Sequence, residues 1–465
     1  MAVPTPNGPS LPASQMPIPV RRGTFLSTGR GSVWSMLLMG AVAAAAILVY
    51  RETTANLSER GIATGFDFLV REAGFAIGEV APVPVPSGPG AALFAALVVA
   101  AVISGIVQRH STVGAAAAAA RLVLPICLAA CLIVLVRRGV EFEFIEYAPH
   151  HTFGFALVTG FANTVKVSAV GIVLASVVGL LVGLGRLSTN LLVRSVCAVY
   201  VETLRNVPLL IQVFFWYFGV LRTLPSVRDS VDVFGVAALN NRGIFLPRPD
   251  ATAGLAWHAA ALAATTAIYF LLRRRADRQQ QVIGRRPPVA FPVLAIAVTL
   301  GALAWFKGGV PLEWSYPTRV GFNFRGGVTL TPEFAALLLG ISFYTAAFIA
   351  EIVRSGVQGV GRGQWEAARS LGLSEGPILR LIVLPQAMRV IFPPLISQYL
   401  SLVKDSSLGI AIAYPEIVSI SNTMINQTGQ PIEILAITIT VFMVMNLLIS
   451  ALINWYNEAR PWVAS

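Results

Sequence analysis

The sequence predicts an all-α fold: a polytopic transmembrane protein with about ten helical spans. Three observations predict it. Of the 465 residues, 55% are hydrophobic and only 12% charged, about half the charge of a typical soluble domain. The mean hydropathy is +0.72. The apolar residues also fall in separate runs, each close to the ~20 residues a helix needs to cross a bilayer. Disorder is excluded, because a disordered chain carries little apolar surface. A string of soluble domains is excluded because so little charge cannot cover their surfaces.

Residues 1–32 are rich in Pro, Ser and Gly, carry Arg21, Arg22 and Arg30 without an acid, and read as a disordered tail. The spans follow near 34–50, 91–107, 117–136, 157–185, 196–221, 253–272, 289–306, 334–353, 386–410 and 434–456. Arg121 interrupts the third, and the fifth is an amphipathic stretch leading into Pro208–Leu221. Charge sets the direction of threading. With the tail inside, the internal loops hold Arg109 and Arg121, then Arg186 and Arg194, then the dense run Arg273, Arg274, Arg275, Arg278, Arg285 and Arg286. External loops carry acids instead, among them Glu52, Glu59, Asp67, Glu72, Glu79, Glu141, Glu143 and Glu146. An even span count puts both termini in the cytoplasm. The net charge of +12 is therefore a loop charge, and no basic stretch alternates with aromatics as a nucleic-acid module requires. Cys127 and Cys131 share an apolar run, Cys197 sits in another, and no Cys/His spacing suits a metal. The adjacent His150 and His151 read as a solvated pair.

One internal loop, 355–385, is long and patterned. Gln364 to Leu371 predicts a short helix, and Gly372 a left-handed stop after it. Ser374 is placed to N-cap a second helix through Pro377, presenting Ile378, Leu379, Leu381, Ile382 and Leu384. Two short helices at a sharp turn make a docking knob; a surface amphipathic hairpin is the alternative.

The run Glu366-Ala367-Ala368, then Gly372, Ile382 and Leu384-Pro385 resembles the EAA motif of ATP-binding-cassette (ABC) importer permeases at all seven positions. The resemblance implies a type I importer permease core whose loop couples to a separate ATPase subunit through these residues. Val201 to Leu210, Tyr344-Thr345-Ala346-Ala347 and Val403 to Leu408 resemble the polar amino acid permeases. Thr53 to Leu57 and Asn240 to Pro247 resemble the larger permease of general L-amino acid importers. The implied layout is a cytoplasmic tail at 1–32, N-terminal spans with an extra helical pair at 33–154, and core parts at 155–222 and 332–465, separated by inserted external loops and a helical pair at 223–331. The implied partners are ABC ATPase subunits, a second and different permease, a periplasmic amino acid-binding protein and the bacterial inner membrane. No cofactor or metal is expected in this chain, and ATP and Mg belong to the ATPase. None of the three lysines, Lys166, Lys307 and Lys404, stands in a phosphate-cradling loop, so the chain is not expected to be an enzyme.

Ionisable groups within spans are functional candidates. Glu202 and Arg205, three apart, can pair, as a structural ion pair or on the substrate pathway. Glu351 and Arg354 have the same spacing beside the loop, and Lys166 snorkels to the outer interface. After the apolar Ile391–Val403, the run Lys404-Asp405-Ser406-Ser407 predicts a helix broken within the membrane. There Asp405 can meet an amino group, and Ser406 and Ser407 can donate to a carboxylate; an inter-helix hydrogen-bond cluster is the alternative. Tyr344 and Thr345 are further pathway candidates. An ion-coupled secondary amino acid transporter is the competing function, but it predicts an inverted repeat and mid-span carboxylates that this chain lacks.

Overall fold

The computed structural model describes residues 64–87, 141–252, 254–284, 287–321 and 323–459, with scattered positions between 40 and 61 and between 93 and 97. It separates into two units, Met1–Phe66 and Asp67–Ser465. In the first, the described residues are mostly helical. Everything below concerns the second.

Seven of the ten expected spans fall on described helices, and a total of ten is not established. The expected spans 34–50, 91–107 and 117–136 lie largely or wholly outside the described residues, as do the tail at 1–32 and Cys127 and Cys131. Helix α1, Phe153–Arg186, starts where Thr152 accepts from Phe155 N and ends with Arg186 in its last turn. Its 34 residues are about 51 Å long, more than a bilayer's hydrocarbon needs. The fifth span is broken. Helix α2, Leu191–Asn206, and helix α3, Leu209–Phe214, which runs on as a π-helix over Phe215–Leu221, meet at 107° around Pro208. Pro208 supplies no N–H, and Gln212 braces the elbow by donating from Nε2 to the carbonyls of Leu204 (2.8 Å) and Val207 (2.9 Å).

Helices α4, Gly254–Ile283, and α5, Ala290–Gly308, form a hairpin with few buried residues, as a lipid-facing pair should. Helix α6, Pro332–Gln358, is the opposite case and forms the centre of the fold. It lies against α1 along a seam of small residues. Gly171, Ala175, Gly179 and Gly183 recur every fourth position and face Ile341, Ser342, Ala346, Ile349, Ala350 and Val353. This spacing lets two backbones approach closely where lipid offers no hydrophobic drive for association. The chain continues through the loop helices α7, Arg362–Ser370, and α8, Glu375–Pro377. It then runs through the long α9, Leu384–Asp405, and closes with α10, Ile417–Thr428, and α11, Pro431–Ala459.

The fold is mostly helical, as expected, and a few short strands accompany the helices among the described residues. Strand β1, Val83–Ser87, pairs antiparallel with β2, Glu141–Ile145. Within the insertion at 223–331, β3 (Val231–Val233), β4 (Ala237–Asn240), β5 (Gly243–Leu246) and β10 (Val328–Leu330) make a sheet of order β10-β5-β4-β3. Two further pairs join β6 (Arg248–Ala251) to β7 (Leu312–Ser315) and β8 (Thr318–Val320) to β9 (Asn323–Arg325). The β6–β7 pair is a neck holding the two ends of the α4–α5 hairpin together, and the β1–β2 pair sets Ser87 opposite Glu141. The 223–331 insertion therefore sends out its helical hairpin and takes it back at one place.

Candidate functional site

The loop after α6 forms the expected knob. Helix α7 ends at Gly372, whose φ is +73° and whose N–H donates to Arg369 O at 2.9 Å. Ser374 holds the N-cap position of α8, but its hydroxyl makes no capping bond; Arg369 instead pairs with Glu375 at 2.9 Å across the turn. A π-helical stretch, Ile378–Val383, feeds into α9. Ala368, Ile378, Val383, Ala387 and Ile391 build a small core, to which Ile382 packs half-buried. Ile378 thus faces inward, contrary to expectation. The outward face carries Glu366, Ala367, Gly372 and Leu384 together with Leu371, Leu379 and Leu381. The seven motif residues therefore divide: Ala368 and Ile382 pack into the knob, Pro385 is half-buried, and the other four are presented. Exposed leucines beside an exposed acid, in the loop and over the first turns of the span that begins at Glu375, can form a protein-docking surface.

At the knob end of α6, Glu351 accepts from both Arg186 and Arg354, and Arg354 also reaches Gln358 Oε1 at 2.5 Å. This network joins α1 to α6 where the loop begins. The expected Glu202–Arg205 pair does not form. Arg205 lies over the Phe348 ring, 4.9 Å from its centroid. With Glu202, Asn206, Arg186 and Glu351 it lines a cleft of about 360 Å³. Spacing alone allowed the pair, but stacking on Phe348 gives the guanidinium an alternative.

The Lys404–Ser407 run is also corrected. The helix does not break there; it tightens to 3-10 geometry over Ser406–Ile412, and the chain turns at Ala413, φ +61°. Ser406 is buried and donates to Val403 O at 2.7 Å, so its hydroxyl proton is committed to its own helix. Asp405 is half-buried and has no hydrogen-bond or ion-pair partner among the described residues, while Ser407 is half-buried beside it. Thr345 is buried within α6, and Tyr344 packs on Phe348 with centroids 4.9 Å apart. Of the pathway candidates, only Asp405 keeps an uncommitted charge in a half-buried position.

Sequence reasoning missed a polar junction at the other end of α1 and α6. Asn163, fully buried, accepts from Ala81 N (3.1 Å) and donates to Glu79 O and Pro415 O (2.9 Å each). The Glu79 carboxylate bridges Lys166, at 2.5 Å, and the Thr331 hydroxyl that caps α6. Lys166 therefore does not simply snorkel; it is paired, and it lies over the Phe334 ring. Nearby, the buried Glu416 caps α10 through the amides of Val418 and Ser419, at 2.7 Å each. Phe68, Phe75 and Tyr147 pack the same segment onto Phe153, and burial raises the Tyr147 phenol's pKa while its O–H donates to Phe75 O. The only sequence signal was a polar pair, Asn163-Thr164, inside an apolar run. Replacing Asn163 by Leu leaves three backbone groups without their partner, each costing about 1–3 kcal/mol. Asn163→Leu is therefore expected to destabilise the protein by at least about 3 kcal/mol, read as a lower thermal midpoint in detergent. Thr159→Ala, one turn earlier, should shift it little.

Among the described residues no group of His, Cys, Asp and Glu is arranged to hold a metal. His151 Nδ1 instead accepts from Ala148 N at 2.8 Å.

Comparison with known proteins places the chain in a family of membrane transport components. Residues 171–460 match the family described as binding-protein-dependent transport system inner membrane component. A putative amino-acid ABC transporter permease of Escherichia coli is 40% identical over 91% of this chain and 93% of its own length. A general L-amino acid transport system permease of Rhizobium johnstonii is 42% identical over 70% of this chain and 82% of its own. A glutamate/glutamine/aspartate/asparagine transport system permease of Rhodobacter capsulatus is 38% identical, covering 59% and 71%.

Proposed function

Since the chain belongs to the family of inner membrane components of binding-protein-dependent transport systems, we propose that it carries L-amino acids inward, driven by an ATPase docked on the 355–385 knob. The observation that carries this reading is the near full-length similarity to a putative amino-acid ABC permease. The exposed Glu366 and its flanking leucines supply the docking surface for the motor. The ion-coupled alternative draws no support from the relatives.

Orientation follows from charge. Arg273, Arg274, Arg275 and Arg278 stand at the far end of α4 from its β neck. The positive-inside rule puts that end in the cytoplasm and the strands outside. The knob lies at the end of α6 opposite β10, and in this reading that is the cytoplasmic end, where an ATPase can dock. The C-terminus is cytoplasmic in this reading, the expected even span count puts the N-terminus on the same side, and the binding protein and a second, different permease chain complete the assembly.

Asp405 is the substrate contact in this reading, its carboxylate free to meet an ammonium group. Asp405→Asn is expected to lower uptake more than tenfold without loss of folded complex. An unpartnered, half-buried carboxylate contributes nothing favourable to stability, so the thermal midpoint should hold or rise. Equal loss of midpoint and uptake would make Asp405 structural. The function itself is tested in proteoliposomes containing this chain, its partner permease, the ATPase and the binding protein. Uptake should require ATP and should be competed by amino acids but not by sugars.

A further inference from the structure

Strands β3 and β4 turn through Phe234 and Gly235, at φ +55° and +71°. Val236 N closes the turn on Val233 O at 3.1 Å, and Asp232 Oδ2 accepts from Gly235 N at 3.2 Å. A hairpin turn with two positive φ values selects Asn, Asp or Gly at its first central position. A bulky residue there is a backbone outlier. Phe234 is also 96% exposed, so burial does not compensate the strain. Val231 and Val236 beside it are exposed too. Neither the turn nor the core of this chain calls for a benzyl group at that point, and strain of this kind gathers at binding sites.

We propose that the Phe234 tip anchors the soluble binding protein, its ring seating in an apolar socket rimmed by lysine or arginine that meets Asp229 and Asp232. This rests on the reading above that the strands face outward. Two features favour a protein over lipid as the occupant. The family works with a binding protein that must reach this side. The tip segment 226–240 also carries Asp229 and Asp232 against the single cation Arg228, with no Trp, Tyr or Lys, whereas membrane-surface anchors are rich in those cations and aromatics. The tip is connected to the machinery. Its sheet runs through β4 and β5 to β10, and Leu330 leads directly into Thr331, the N-cap of α6. The knob lies at the other end of that helix, so a load on the tip reaches the helix that the ATPase grips.

The test uses the complete transporter in nanodiscs, with ATP hydrolysis titrated by the amino acid-binding protein that supports uptake in the assay above. Phe234→Asn suits the turn, so folding is not at stake. Basal hydrolysis should be unchanged, and the binding-protein concentration for half-maximal stimulation should rise at least tenfold. Phe234→Trp should stay within about twofold of the parent, with tryptophan emission shifting to the blue only when binding protein is added. An unchanged half-maximal concentration for Phe234→Asn would overturn the proposal. So would Phe234→Trp emission already blue-shifted in the nanodisc alone, which would place the ring in lipid. Absence of stimulation in the unsubstituted transporter would overturn the proposed function, and this inference with it, before any variant is compared.

Discussion

Gly179→Leu is expected to abolish transport by preventing α1 and α6 from closing. A Cβ on Gly179 would stand 2.7 Å from Ile349 Cβ and 3.0 Å from the Ala346 carbonyl, and one on Gly183 would stand 2.9 Å from Ala350 O. These neighbours are backbone or β-branched atoms, so no flexible side-chain end can swing aside. Overpacking typically costs about 1–3 kcal/mol, and here the longer leucine must enter a seam that has no space even for a methyl. Against a total stability of about 5–15 kcal/mol, the variant should yield little monodisperse protein. Gly179→Ala should be milder, and Ile349→Ala should rescue part of that loss in a double-mutant cycle. Additive losses would mean that the two helices do not meet there.

The second large effect is expected at the knob, by a different route. Gly372→Pro should lower ATP-driven uptake at least a hundredfold while leaving the protein inserted and folded. Proline fixes φ near −65°, and Gly372 needs +73°. The substitution also removes the N–H that closes on Arg369 O. A side chain there meets nothing within 4 Å, so the damage comes from the backbone and stays local to the turn between α7 and α8. Glu366→Lys tests the same surface without touching the backbone. Glu366 is exposed and makes no side-chain contact that holds the knob together. Reversing its charge should cut uptake by disturbing the partner contact, with the thermal midpoint unchanged. Chemical cross-linking to the ATPase checks both variants.

Much of this was legible from the residues, for identifiable reasons. Apolar runs locate membrane helices well because every backbone group in lipid must be satisfied internally, and seven expected spans coincide with described helices. The turn of the knob was legible because Gly372 marks a left-handed stop after a short helix, whereas its docking role is implied by the resemblance to the EAA motif. The strands were not, because Val231–Val233 or Val83–Ser87 are too short for alternation to stand out from loop sequence. Side-chain pairing was the least legible. The spacing of Glu202 and Arg205 permits a bond that Phe348 diverts. Lys166 finds Glu79 across 87 residues of sequence, and no local pattern encodes that. Asn163 holds three carbonyl and amide partners from two distant segments, although its polar character inside an apolar run marked it as unusual. Ser406 shows the limit in the other direction: its sequence position allows a ligand donor or an inter-helix hydrogen bond, and its hydroxyl instead donates within its own helix.

The central claim is that movement of an amino acid through this chain is driven by an ATPase gripping the 355–385 knob. The most direct measurement follows ATP hydrolysis and amino acid uptake together, in the same proteoliposomes, for the parent and for Glu366→Lys. The account predicts that parent uptake needs ATP and binding protein, is indifferent to an imposed proton or sodium gradient, and falls in the variant along with binding-protein-stimulated hydrolysis. Uptake driven by an ion gradient without ATP, or parent-level uptake by Glu366→Lys and Gly372→Pro alike, would contradict it.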